Sequence, residues 1–131
     1  MFNHTRMIAG VLLAAAVSGP VMLLAYRVMA ALGGDLGGPP LAYGLAMLAP
    51  ALGLGLAFGL VPAGVGAFAM GALGVHHHRT RHPLAWIVVG ALLAPASFAP
   101  IFGSSDEIAL LAFAITGGVA AATCRAFAEW R

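Results

Sequence analysis

Residues 41–75 read LAYGLAMLAPALGLGLAFGLVPAGVGAFAMGALGV, a stretch without a single charged side chain. Three further apolar runs occupy residues 7–32, 84–102 and 108–128. A helix that crosses the hydrocarbon core of a bilayer needs about 20 predominantly apolar residues. The four runs therefore predict an all-α membrane protein with four transmembrane helices.

The overall composition points the same way. Of the 131 residues, 62% are hydrophobic and 8% are charged, whereas an average soluble domain has about 25% charged residues. We therefore expect one four-helix domain over residues 1–131, with the lipid bilayer as its surroundings and no nucleic acid as a partner.

The second run is too long for one straight crossing, because a helix over residues 41–75 would measure about 52 Å. We predict one helix bent at Pro50 and Pro62, whose outer part, residues 41–49, lies along the interface. The alternative is a re-entrant pair broken within residues 59–66. Prolines in the first and third helices are also expected to bend them: Pro20, Pro95 and Pro100.

The arginines predict the orientation. With four crossings, one face of the membrane receives nearly all of them: Arg6, Arg79, Arg81, Arg125 and Arg131. The acidic residues of the loops fall on the opposite face: Asp35, Asp106 and Glu107. The positive-inside rule then puts both termini in the cytoplasm. Trp86 and Trp130 are expected at the inner membrane interface, where amphipathic rings prefer to lie.

Arg27 is the exception, because it follows Arg6 by about one hydrocarbon thickness of helix. We expect its side chain to reach the outer interface by snorkelling. Pairing with Asp35 or Asp106 is the alternative.

Small residues recur at four-residue spacing in the second run. The predicted helix-packing positions are Ala51, Gly55, Gly59, Ala63, Ala67 and Gly71. Such a stripe lets another helix approach closely in the bilayer. The spacing does not decide whether that helix belongs to this bundle or to a partner.

Residues 75–83, VHHHRTRHP, form the one polar segment of varied chemistry. His76, His78 and His82 are candidate metal ligands. However, adjacent side chains diverge, and the two arginines repel a dication. We therefore expect no metal and no cofactor, and we interpret the segment as a basic loop that rests on anionic lipid headgroups.

Ser104 and Glu107 have the spacing of a capping box at the start of the fourth helix. This role explains the adjacent carboxylates Asp106 and Glu107 without catalysis. Phosphate-binding loops, His-Glu-x-x-His and paired cysteines are missing from the sequence.

No acid, lysine or histidine lies in the middle of a predicted span, which is where the chemistry of membrane proteins usually resides. We therefore expect a non-catalytic accessory, assembly or stabilising subunit that packs against a membrane partner or itself. Arginine without lysine, together with abundant alanine and glycine, suggests a GC-rich bacterial genome. We therefore expect the protein in a bacterial cytoplasmic (inner) membrane.

The alternative is a small homo-oligomeric channel or transporter, with Thr116 and Thr123 along its path. A third class, an enzyme acting on lipid, would have to use residues 76–82, Arg125 and Glu129.

Overall fold

The computed structural model describes residues 4–34, 41–102 and 106–128. All regular elements in these ranges are helical. They are α1 (His4–Leu32), α2 (Leu41–Ala46), α3 (Leu48–His76), a 3₁₀ turn (His78–Arg81), α4 (Pro83–Phe102) and α5 (Glu107–Phe127). Four of them, α1, α3, α4 and α5, are long and apolar enough to cross a membrane. The prediction of an all-helical fold with four helices of membrane-spanning length and composition is confirmed for the described residues.

The second apolar run was predicted as one helix bent at Pro50 and Pro62, and in the structure it comprises two helices; the bends at the two prolines stay a prediction. The helix is interrupted at Met47, which separates the short α2 from α3. Pro50 lies in the first turn of α3, where its missing N–H would have had no acceptor within the helix. The break lies within the turn that precedes Pro50, and helical hydrogen bonds flank it: the Met47 amide donates 3.0 Å to the Tyr43 carbonyl, and the Ala51 amide donates 2.9 Å to the Met47 carbonyl.

The re-entrant alternative was wrong, because α3 continues through residues 59–66 to His76 with Pro62 inside it.

The four long helices lie in the order α3, α1, α5, α4, and each packs closely on the next. In contrast, α3 and α4 make few contacts with each other, although only the 78–81 turn separates them in the chain. The bundle therefore has one open side, between α3 and α4.

Close packing depends on glycine at two crossings. A Cβ added to Gly55 of α3 would lie 2.6 Å from the backbone nitrogen of Gly19 in α1, and a Cβ added to Gly117 of α5 would lie 2.5 Å from the Cβ of Ala94 in α4. Such distances leave no room for a side chain. Backbones in contact are a common means of helix association in lipid, where burial of apolar surface no longer drives it.

The largest buried side chains gather at one end of the bundle. Met7 and Trp86 are both fully buried there, packed with Met70, Cys124 and Ala128. Helix ends that carry arginine meet at this end, so we call it the arginine end. The arginines at this end are Arg6, Arg79, Arg81 and Arg125.

At the opposite end, α5 begins at Glu107 with Asp106 as its N-cap, and the Asp106 carboxylate accepts a hydrogen bond of 3.1 Å from the Ala109 amide. The predicted capping box was therefore placed too early in the chain. Glu107 is the first helical residue and not the third, because Asp106 is itself a favoured cap. Ser104 lies outside the described residues.

Candidate functional site

The open side of the bundle forms an apolar cavity of about 500 Å³, which we call the groove. One wall comes from α3, with Phe58, Pro62 and Gly66, and the other from α4, with Val89 and Leu93. Residues of α1 and α5, the two helices that lie between these walls in the packing order, complete the lining. The groove is thus bounded by all four long helices.

Polar groups near the groove are already engaged with backbone atoms. The Thr116 hydroxyl donates 2.7 Å to the Ala112 carbonyl of its own helix and lies 3.6 Å from the Met22 sulfur. The Ser18 hydroxyl donates 2.7 Å to the Ala15 carbonyl and lies 3.4 Å from the Gly55 carbonyl of α3. This lining therefore suits an apolar occupant.

Trp86 lies where the groove meets the arginine end. Its ring is 1% exposed, and its Nε1 donates 2.9 Å to the Thr80 carbonyl of the 78–81 turn. Trp86 was predicted at the inner membrane interface, but its ring is buried inside the bundle. The turn offers the indole an acceptor inside the protein, so the ring is a core residue.

Two arginines hold the 78–81 turn in place. The Arg125 Nε of α5 donates 2.7 Å to the Arg81 carbonyl, and the Arg81 Nε donates 2.8 Å to the Gly74 carbonyl of α3. Both side chains also line a shallow, open depression of the surface, together with Arg79, His82 and Pro83. We call this depression the basic pocket.

The first part of the small-residue stripe of α3, at Ala51, Gly55 and Gly59, packs on α1, the neighbour inside the bundle. Ala51, Gly55, Ala67 and Gly71 are buried, whereas Gly59 and Ala63 are half-buried. A Cβ added to Gly59 would lie 2.7 Å from the Ser18 hydroxyl. The structure thus gives this part of the stripe a partner that the spacing alone left open.

The remaining predicted interface residues lie in different surroundings. Arg6 and Arg79 are exposed, while Arg81 and Arg125 are half-buried. Trp130 and Arg131 lie outside the described residues.

The candidate metal ligands do not form a cluster in the described part of the chain. There, no three or more His, Cys, Asp or Glu side chains are placed to hold an ion together. His76 ends α3 and is exposed, and the His82 Nδ1 accepts from the Leu84 amide at 3.3 Å. The His78 side chain is not among those described.

Sequence reasoning missed the groove, the crossing of Gly90 with Gly117, and the bonds from Arg81 and Arg125 to backbone carbonyls. The sequence signal for this crossing was the presence of a glycine in each of two apolar helices, Gly90 in α4 and Gly117 in α5. Nothing in their spacing pairs them.

No family model, no curated protein and no solved structure matches this chain.

Proposed function

We propose that this chain is a non-catalytic accessory protein of a bacterial cytoplasmic membrane, which assembles with or stabilises another membrane protein or a second copy of itself. Its arginine end faces the cytoplasm, and α3 supplies the contact. The observation that carries the proposal is the outward face of α3.

The helix α3 lies at the edge of the bundle and has two small-residue faces. The first is the stripe whose first part packs on α1. The second lies two residues further on, at Gly53 and Ala57, and both residues are exposed. A Cβ added to Gly53 would meet no atom within 4 Å. Bare backbone on the outside of a spanning helix lets another helix approach closely.

The orientation rests on charge. Arg6, Arg79, Arg81 and Arg125 share one end, and Asp106 and Glu107 begin α5 at the other. Basic residues are retained on the cytoplasmic side during insertion, which puts the 78–81 turn inside the cell.

The lining of the groove supports this role over that of a channel. A path for ions needs polar groups that replace the hydration shell. The Thr116 hydroxyl, which lines the groove, donates to its own helix. The Thr123 hydroxyl donates 2.9 Å to the Val119 carbonyl, and Thr123 is not among the lining residues.

Site-specific crosslinking tests the proposal. A photo-crosslinking amino acid at Ala57, in the tagged full-length chain expressed in bacteria, should capture a defined membrane protein or a second copy. The same group at Leu111, on the exposed surface of α5, should capture lipid or nothing reproducible.

Gly53→Leu should abolish capture from Ala57 and leave the bundle folded, because the added side chain points into open space. Gly44→Leu, which also adds its side chain in open space but on α2, is the matched control. Capture that is equal from both crosslinking sites, or that survives Gly53→Leu, would contradict a contact through α3.

A further inference from the structure

We infer that the groove is a lipid site: it holds an acyl chain of an anionic phospholipid, whose phosphate headgroup lies in the basic pocket. This inference uses the inner side of α3 and is independent of the protein contact proposed for its outward face.

The groove has the size and chemistry of a ligand site. Pockets for small ligands measure about 300–1,000 Å³ and are mostly apolar, and the groove, at about 500 Å³, falls in this range. It lies between two spanning helices that scarcely touch, so its open side faces the acyl chains of the bilayer. A lipid tail can therefore enter sideways without crossing a polar surface.

On α4 and α5, the residues that line the basic pocket are close in sequence to residues that line the groove. On α5, Cys124 lines the groove and the next residue, Arg125, lines the basic pocket. On α4, Trp86 lines the groove, while Pro83, one turn earlier, lines the basic pocket. A single amphiphile can thus reach both the groove and the basic pocket, with its tail between α3 and α4 and its headgroup beside the 78–81 turn.

The charge of the basic pocket selects the headgroup. Among the described residues, its lining consists of Arg79, Arg81, Arg125, His82 and Pro83, which makes it basic. Two of these arginines are oriented by Nε bonds to carbonyl groups, which limits their freedom before a ligand binds. The planar guanidinium of arginine presents several N–H donors, which pair well with the several acceptor oxygens of a phosphate.

The same charge disfavours a transmembrane helix of another protein in the groove. Cytoplasmic flanks of such helices are enriched in lysine and arginine, which the basic pocket would repel.

Trp86 provides the readout, because it lines the groove near the basic pocket. The full-length Trp130→Phe protein leaves Trp86 as its only tryptophan. In phosphatidylcholine nanodiscs we expect brominated phosphatidylglycerol, added at a few mole per cent, to quench Trp86 fluorescence with saturation. Brominated phosphatidylcholine at the same level should not.

Two pairs of variants separate the site from its surroundings. Gly66→Leu adds a side chain to the groove where a Cβ would meet no atom within 4 Å, and it should remove the saturable quenching. Gly53→Leu, on the outward face of α3, should not. Arg79→Gln should weaken the apparent affinity about fivefold, as expected for one basic residue near an anionic lipid. Arg6→Gln, at the same end but outside the pocket, should change it less.

Equal quenching by the two brominated lipids would show bulk lipid contact only and overturn the inference. So would saturable quenching that Gly66→Leu leaves intact. A photo-crosslinker at Leu93 that captures a protein segment or a second copy, and no lipid, would place a protein in the groove instead. Failure of the Ala57 crosslinking experiment would leave these lipid results unaffected, so the two proposals fail separately.

Discussion

The Nε of Arg125, at the end of α5, donates a hydrogen bond of 2.7 Å to the carbonyl of Arg81 in the 78–81 turn. The Nε of Arg81 in turn donates a hydrogen bond of 2.8 Å to the carbonyl of Gly74 in α3. Two hydrogen bonds thus join α5 to the 78–81 turn and the turn to the end of α3. The turn is held at the arginine end even though the helices that it connects diverge beyond it.

Arg125→Lys should loosen this turn, because an ammonium group keeps the charge but loses the planar Nε donor. We expect a loss of about 1.5–3 kcal/mol, the usual contribution of a hydrogen bond to a charged group, and faster hydrogen exchange over residues 78–82. Arg79→Lys, at an exposed position in the same turn, is the control. Identical exchange in the two variants, measured by mass spectrometry in nanodiscs, would show that the Arg125 bond does not hold the turn.

The crossing of α4 and α5 gives a second prediction. Gly117→Ala places a Cβ 2.5 Å from the Cβ of Ala94 and 2.9 Å from the carbonyl carbon of Gly90, so we expect it to destabilise the bundle by about 1–3 kcal/mol. Gly53→Ala, which meets no neighbour, should be neutral or slightly stabilising, since alanine is the better helix former. Unfolding in mixed micelles measures both, and a Gly117→Ala protein as stable as Gly53→Ala would refute the close crossing.

Trp86 should behave as a core residue. Trp86→Phe keeps most of the ring but removes the donor to Thr80, at a cost of about 1–3 kcal/mol. Trp86→Ala leaves a cavity and should cost about 3–5 kcal/mol. The same unfolding measurement distinguishes them. Near-normal stability of both variants is what a ring lying in the lipid interface would give.

Much of the architecture could be predicted from the sequence, because hydrocarbon requires long apolar helices and the four runs are unambiguous. The face of each helix that packs against a neighbour could not be predicted. The four helices are apolar all round, so hydrophobic periodicity identifies no inner side. The stripe from Ala51 to Gly71 was visible because its spacing is regular, whereas Gly90 and Gly117 meet only in three dimensions.

The errors have equally local causes. Trp86 was assigned to the interface on the general preference of indole rings, but the Thr80 carbonyl gives it a partner inside the protein. Ser104 and Asp106 are both good caps, and local sequence does not rank them. The groove arises from the divergence of α3 and α4, which depends on how each packs on α1 and α5.

Reconstitution separates the accessory role from the channel. Purified protein in liposomes should pass potassium ions and protons no faster than empty liposomes, because the groove is lined by apolar side chains and engaged hydroxyls. Saturable flux that Thr116→Val abolishes would favour the channel. Flux of equal size in the wild type and in Thr116→Val would indicate a leak caused by reconstitution.

We propose that the chain crosses the membrane four times, with its arginine end in the cytoplasm. Single cysteines in a Cys124→Ala background test this directly, at two exposed positions: His77, beside the 78–81 turn, and Asp106, at the start of α5. A membrane-impermeant maleimide applied to intact spheroplasts should label the Asp106→Cys protein at once, and the His77→Cys protein only after the membrane is opened. Labelling of the His77→Cys protein from outside the intact membrane would contradict the account.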